Sequence, residues 1–299
     1  MDITTLNQAE EIITNHHENK NILKEIEEFV IQWPFQSTDS FALMNNDINN
    51  LINKLIQLFS PNRNDIQIRN AFHCVVFNKM NAFILNYLKE AYLKEDSLLF
   101  EKCKRLSINN VSLMQLGSKE EYAIKFPAAV VELSILEEYT SPLQKLNCLC
   151  ITFDVLYAEL KSVLVSMISK YSDKDNDIPI INNDEIYPAL LMVIIKSKPM
   201  YFMSNLEYIK IFGPDLSNDH VKRQILETFD KAAIKLYNLD ETATLNKCCD
   251  KLEDSLNLAQ LMGFQEKIQN FPNQTVDFLH EKRKEYNDQI EASLSQHLC

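Results

Sequence analysis

The stretch NNDEIYPALLMVIIKSKP, residues 182–199, sets two adjacent carboxylates, Asp184 and Glu185, just ahead of Pro188 and an unbroken apolar run. Its reading decides the fold. The run PALLMVII (188–195) is less than half of what a bilayer crossing needs, which is about 20 residues. It therefore reads as the helix of a globular protein, and no transmembrane helix is expected. The preceding SDKDNDIPIINND (172–184) is polar and turn-rich and reads as a surface loop that delivers the chain to a helix start. Asn183 or Asp184 would cap that helix, and Pro188 would fall in or just after its first turn, where a proline is still tolerated. A carboxylate is at ease there, because the free amides and the helix dipole both favour it. Capping by itself accounts for Asp184.

Working outward, a long stripe of Leu143, Leu146, Leu149, Phe153, Leu156 or Tyr157, and Leu160 begins after Ser141 and Pro142, a plausible N-cap and first helical position. Further toward the N-terminus stand three more stripes at spacings of three and four: Ile22, Ile26, Phe29 and Val30; Ile48, Leu51, Ile52, Leu55, Ile56 and Phe59; and Phe72, Val76, Met80, Phe83 and Tyr87. Breaks are expected at WPFQSTDS (33–40) and SPNRND (60–65). On the C-terminal side the spacing predicts helix from about Val221 to Tyr237, then over roughly 241–262 and 274–296. Only 3 glycines occur in 299 residues, against a usual share of about 7%. Tight-turned sheets, phosphate loops and dinucleotide fingerprints all consume glycine, so most nucleotide-binding enzyme classes are excluded and the chain reads as all-α.

The net charge of −12 argues against partners held through phosphate, whether nucleic acid or anionic lipid, since both draw affinity from Lys and Arg. Seven cysteines, an odd number without zinc-ligand spacing, fit reduced thiols, and no metal or cofactor is expected. The opening MDITTLNQAEEIITNHHENK has neither a basic leader nor an apolar signal core, so a cytosolic chain is expected. His16 and His17 read as solvated. His73 and Cys74 are neighbours on a helix and point about 100° apart, which makes no nucleophile–base pair. No hydrolase or metalloprotease motif is present. From the residues alone the chain is an acidic, all-helical protein-binding module.

The ordered succession SPLQKLNCL (141–149), a helix, a polar loop, NNDEIYPALLMVIIKSKP, and NLEYIKIF (205–212) resembles the vacuolar protein sorting nine (Vps nine) domain of guanine-nucleotide exchange factors for Rab GTPases of the Rab five group. Members show T-P-x-x-K-L, then an acidic pair with x-x-P and an apolar helix, then N-[LI]-x-[YF]-[IL]. Weaker similarity extends the resemblance over roughly residues 64–240. It implies an N-terminal helical bundle (1–115) packed on a Vps-nine-like domain (116–240), followed by C-terminal helices (241–299). It further implies that Asp184 is presented from the mouth of a hydrophobic groove toward the nucleotide site of a small GTPase, with Glu185 beside it and Pro188 shaping the groove. The carboxylate would pair with the GTPase loop lysine, repel the β-phosphate and disfavour Mg²⁺, with no covalent chemistry and no cofactor.

One departure stands out. The family carries Y-x-x-T before A-A-[IV]; here QILETFDKAAI (224–234) puts Ile225 on the tyrosine and Thr228 on the threonine, both GTPase-binding positions. A hydroxyl contact is lost while apolar contact survives, which predicts weaker exchange or an altered choice of GTPase. Tyr237 or another nearby tyrosine is the alternative source of that hydroxyl. The alternative function is a helical adaptor or pseudo-exchange factor that binds a GTPase without catalysing exchange. Membrane insertion is not expected, so recruitment to early endosomes would come from the GTPase or from a targeting partner on the C-terminal helices. The richness in Asn, Ile and Lys would also suit an intracellular bacterium's mimic acting in a host cytosol.

Overall fold

The computed structural model describes residues 5–15, 19–33, 40–59, 66–118, 125–171 and 183–246. In chain order the helices are α1 (Leu6–Thr14), α2 (Asn19–Gln32), α3 (Phe41–Phe59), α4 (Ile66–Ala91), α5 (Leu93–Ile108), α6 (Pro127–Ser134), α7 (Pro142–Tyr171), α8 (Asn183–Ser197), α9 (Phe202–Phe212) and α10 (His220–Asn238), with a 3-10 turn at Leu136–Glu138. Among the described residues there is no strand, and none of their helices is long and apolar enough to cross a membrane. Met1–Leu245 is one compact unit; Asn246–Cys299 is a second, and of it only Asn246 is described. The helices expected over 241–262 and 274–296 therefore lie outside the described residues except at 241–246, which is helical.

The opening stretch is the axle of the fold. Every residue from Pro188 to Ile195 is buried, and a helix apolar on all sides must be wrapped by others. Here α5, α6, α7 and α10 surround α8. Its core takes in Leu99, Leu133, Leu149, Leu206 and Phe229. A second core lies among α1–α4 and is closed by Tyr208 and Phe212 of α9 and Leu143 of α7. Helix α9 thus faces both cores, giving Phe202, Leu206 and Ile209 to one and Tyr208 and Phe212 to the other.

The helix ends show why the chain stops and turns where it does. Ser141 opens α7 with a capping box: its hydroxyl accepts from the Gln144 amide, and the Gln144 side chain accepts from the Ser141 amide. Helix α6 starts with Pro127 at its first position, and Glu159 of α7 accepts from the Ala128 and Ala129 amides. The start of α9 has no cap of its own. Asp96 of α5 replaces it, taking the Met203 amide at 2.7 Å and the Ser204 hydroxyl and amide. At the far end of α10, the Lys102 ammonium donates to the carbonyls of Tyr237 and Leu239, a cation where the dipole is negative.

The signature segments turn out to be the frame. Lys145 is wholly buried, and its ammonium donates to the Leu136 carbonyl at 2.9 Å. Burial first of all depresses it, to about 8, against the pull of Glu137. Asn205 donates to Glu137 at 2.6 Å and to the Tyr201 carbonyl. The Tyr208 hydroxyl donates to the Thr140 carbonyl. These side chains bind α7, the 3-10 turn and α9 together.

One stripe needs correction. Phe83 and Tyr87 are about half exposed, at 52% and 49%, while Ile84, Leu85 and Leu88 are buried in their place. Helix α4 is buried continuously from Ala71 to Phe77, so its pattern there carries no single face to extrapolate from. In α7 the choice between Leu156 and Tyr157 resolves to Leu156 for the core.

His73 is buried, donates from Nε2 to the Phe212 carbonyl at 2.9 Å, and keeps Nδ1 without a partner. Desolvation lowers its pKa to about 4, so it is a neutral structural imidazole with no catalytic partner in Cys74. The unfolded chain takes up this proton first as pH falls. The stability contribution is therefore whole above about 6.5 and is lost toward about 4, amounting to about 3 kcal/mol. Denaturant titrations across that window are expected to show wild type losing this margin relative to His73→Phe.

Candidate functional site

One groove opens on this core, about 860 Å³ in volume, between α7, α8, α10 and the turn at Leu116–Gly117. Helix α7 contributes Phe153, Asp154 and Tyr157, and α8 contributes Ile186, Tyr187 and Pro188. The third wall is α10, with Val221, Gln224, Ile225, Thr228, Lys231 and Lys235. Those positions recur every three or four residues, so one face of α10 looks into the groove while Leu226, Phe229 and Ala233 look into the core. Gly117 has φ 110°, a conformation that L side chains rarely adopt, and it lets the turn close the fourth side.

The expected site residues converge here. Pro188, Ile225 and Thr228 all line the groove. Ile225 is only 5% exposed and belongs to the core as much as to the wall. The Thr228 hydroxyl donates to the Gln224 carbonyl at 2.7 Å, so its hydrogen is committed and its lone pairs remain to accept. Asp184 and Glu185 fall in the first turn of α8, directly ahead of the groove-lining Ile186, Tyr187 and Pro188. Their side chains, and the loop at 172–182, lie outside the described residues. Asn183 and Asp184 are thus the first two helical residues rather than the cap. Pro188 sits in the second turn. Having no amide hydrogen, it cannot complete the helical bond to the Asp184 carbonyl four residues back, which loosens the turn that carries the acid.

Sequence reasoning missed the α7 side. Tyr157 is 40% exposed in the groove, and Val221 at the start of α10 is 67% exposed. The signal was present as Phe153 and Tyr157, one helical turn apart. Tyr237, the expected substitute for the missing tyrosine, does not line the groove; its carbonyl is held by Lys102. The charges at the rim are of both signs. Lys231 pairs with Glu227 at 3.9 Å, and the Lys235 ammonium lies 4.8 Å from the centre of the Tyr187 ring. Burial raises the Tyr187 hydroxyl, and raises the Cys150 thiol to about 11, leaving it inert. Among the described residues no cluster of three metal-ligating side chains occurs. A trough of apolar and aromatic residues with a mixed ionic rim can bind a protein surface.

Residues 126–234 match the family model of the vacuolar sorting protein 9 (VPS9) domain. The chain is 36% identical over 90 residues to receptor-mediated endocytosis protein 6 of Caenorhabditis briggsae, covering 30% of this chain and 7% of that protein. It is 24% identical over 140 residues to GTPase-activating protein and VPS9 domain-containing protein 1 of Xenopus laevis, 46% of this chain and 9% of the relative. It is 22% identical over 172 residues to vacuolar protein sorting-associated protein vps901 of Schizosaccharomyces pombe, 54% and 28%. The matches thus span at most 28% of these relatives' own length.

Proposed function

We propose that the chain, whose residues 126–234 match the VPS9 domain model, is a guanine-nucleotide exchange factor for a Rab GTPase of the Rab five group. The observation that carries this is the meeting of Pro188, Ile225 and Thr228 in one apolar groove directly behind the first turn of α8, the turn that bears Asp184 and Glu185. The groove takes the switch surface of the GTPase and supplies affinity. Asp184 enters the nucleotide site, where it pairs with the phosphate-binding lysine, repels the β-phosphate and disfavours Mg²⁺. Exchange then follows by linkage: a factor that binds the nucleotide-free GTPase more tightly than the loaded one must weaken nucleotide binding by the same factor. The relatives' names, which speak of receptor-mediated endocytosis and vacuolar sorting, support work on an endosomal membrane, reached through the GTPase or through a targeting partner of the C-terminal residues.

The decisive experiment is release of a fluorescent GDP analogue from a panel of Rab GTPases. Acceleration of at least one Rab five-group member is expected; none on any member would sink the reading. A second reading, a GTPase-binding adaptor without exchange, is favoured by Ile225, which carries no hydroxyl into the groove. It requires equal binding to loaded and nucleotide-free GTPase, which the same panel distinguishes.

A further inference from the structure

The three aromatic side chains of the groove are held differently. Phe153 and Tyr187 pack against the core around α8, and Tyr187 also carries the Lys235 ammonium over its ring. Tyr157 is the most exposed of the three. It stands 40% exposed on α7, and its hydroxyl makes no hydrogen bond to any described residue. Across the groove, Ile225 offers only carbon, and the Thr228 hydrogen is already given to Gln224. A large ring two-fifths exposed in a groove, with a polar tip bonded to no described residue, has the character of an interface anchor.

We propose that Tyr157 is the specificity-determining anchor of this groove, its ring packing on an apolar side chain of the incoming GTPase and its hydroxyl hydrogen bonding to a polar group there. This rests on the exchange-factor reading above. It assigns to α7 a polar contact that position 225 on α10 cannot make. Because the ring is two-fifths exposed, its removal is expected to cost the fold little, and because its hydroxyl bonds to no described residue, the ring and the hydroxyl are separable.

The test uses the full chain as wild type, Tyr157→Phe and Tyr157→Ala. It measures binding to nucleotide-free Rab five-group GTPases, GDP-analogue release with kcat and KM separated, and thermal melting. Tyr157→Ala is expected to weaken binding about thirtyfold. Tyr157→Phe is expected to weaken it about fivefold, the size of one hydrogen bond. Both act on KM with kcat kept, and both melt within about 2 °C of wild type. Wild-type-like binding by Tyr157→Phe removes the hydroxyl from the proposal and overturns it; so does loss of binding that runs parallel with a lowered melting point. If wild type binds no GTPase at all, the exchange-factor reading falls and takes this one with it. If wild type binds and both variants bind equally well, only this inference falls.

Discussion

Asp184→Ala is expected to slow stimulated GDP release by about a hundredfold, the scale seen when one preorganised charge contact is taken from a reaction centre, while binding to the GTPase changes little. The division follows from the geometry. On the exchange-factor reading, affinity belongs to the groove, whose walls are built from α7, α8 and α10, whereas Asp184 lies ahead of it in the first turn of α8. The same substitution discriminates between causes. A carboxylate that only steadied a helix start would cost about 1 kcal/mol of stability when removed and would leave the release rate of the folded protein untouched. Stopped-flow release at saturating factor, with melting curves in parallel, reads both quantities. A release rate within threefold of wild type would remove the acid from the mechanism.

Phe229→Ala should have the largest effect on the fold itself, a loss of about 4 kcal/mol and of about 10 °C in melting temperature for a unit of this size. Phe229 is wholly buried and meets Phe202 of α9 edge-on, with ring centres 6.4 Å apart. It is one residue from Thr228, yet the roughly 100° turn between helical neighbours sends one into the core and the other into the groove. Thr228→Val keeps the shape and removes only the hydroxyl, so it should leave melting nearly unchanged and touch binding alone. Calorimetry on the two neighbours would expose a helix that is foundation on one face and working surface on the other. Equal melting for both would refute that division.

Much of this architecture was legible in the sequence, for reasons that can be named. Scarcity of glycine and stripes at helical spacing gave an all-α chain, and the unbroken run after Pro188 marked the helix that became the axle. The signature segments located the domain, but their polar side chains proved to be carpentry: Lys145, Asn205 and Tyr208 spend their donors on the Leu136, Tyr201 and Thr140 carbonyls and on Glu137. Contacts across large sequence separations left no local trace. Nothing around Lys102 announces that it closes α10 at Tyr237 and Leu239, nor does Asp96 announce that it caps α9. The α7 wall was half legible, because Leu156 and Tyr157 both suit a helical stripe and only the packed fold assigns one to the core and one to the groove. At Phe83 the pattern misled, since a helix enclosed on all sides near Phe72 gives no face to continue.

Ile225 and Pro188 are at once wall of the groove and part of the buried interior. A lineage changing its partner therefore has little freedom at either position, since any new side chain there must first satisfy the interior. The variable vocabulary of this surface lies with its more open members, Tyr157 and Val221, where a new side chain disturbs the interior least. On the exchange-factor reading, divergence in GTPase choice among related chains should accordingly be written at those exposed positions, with the two hidden ones drifting only among side chains of similar bulk.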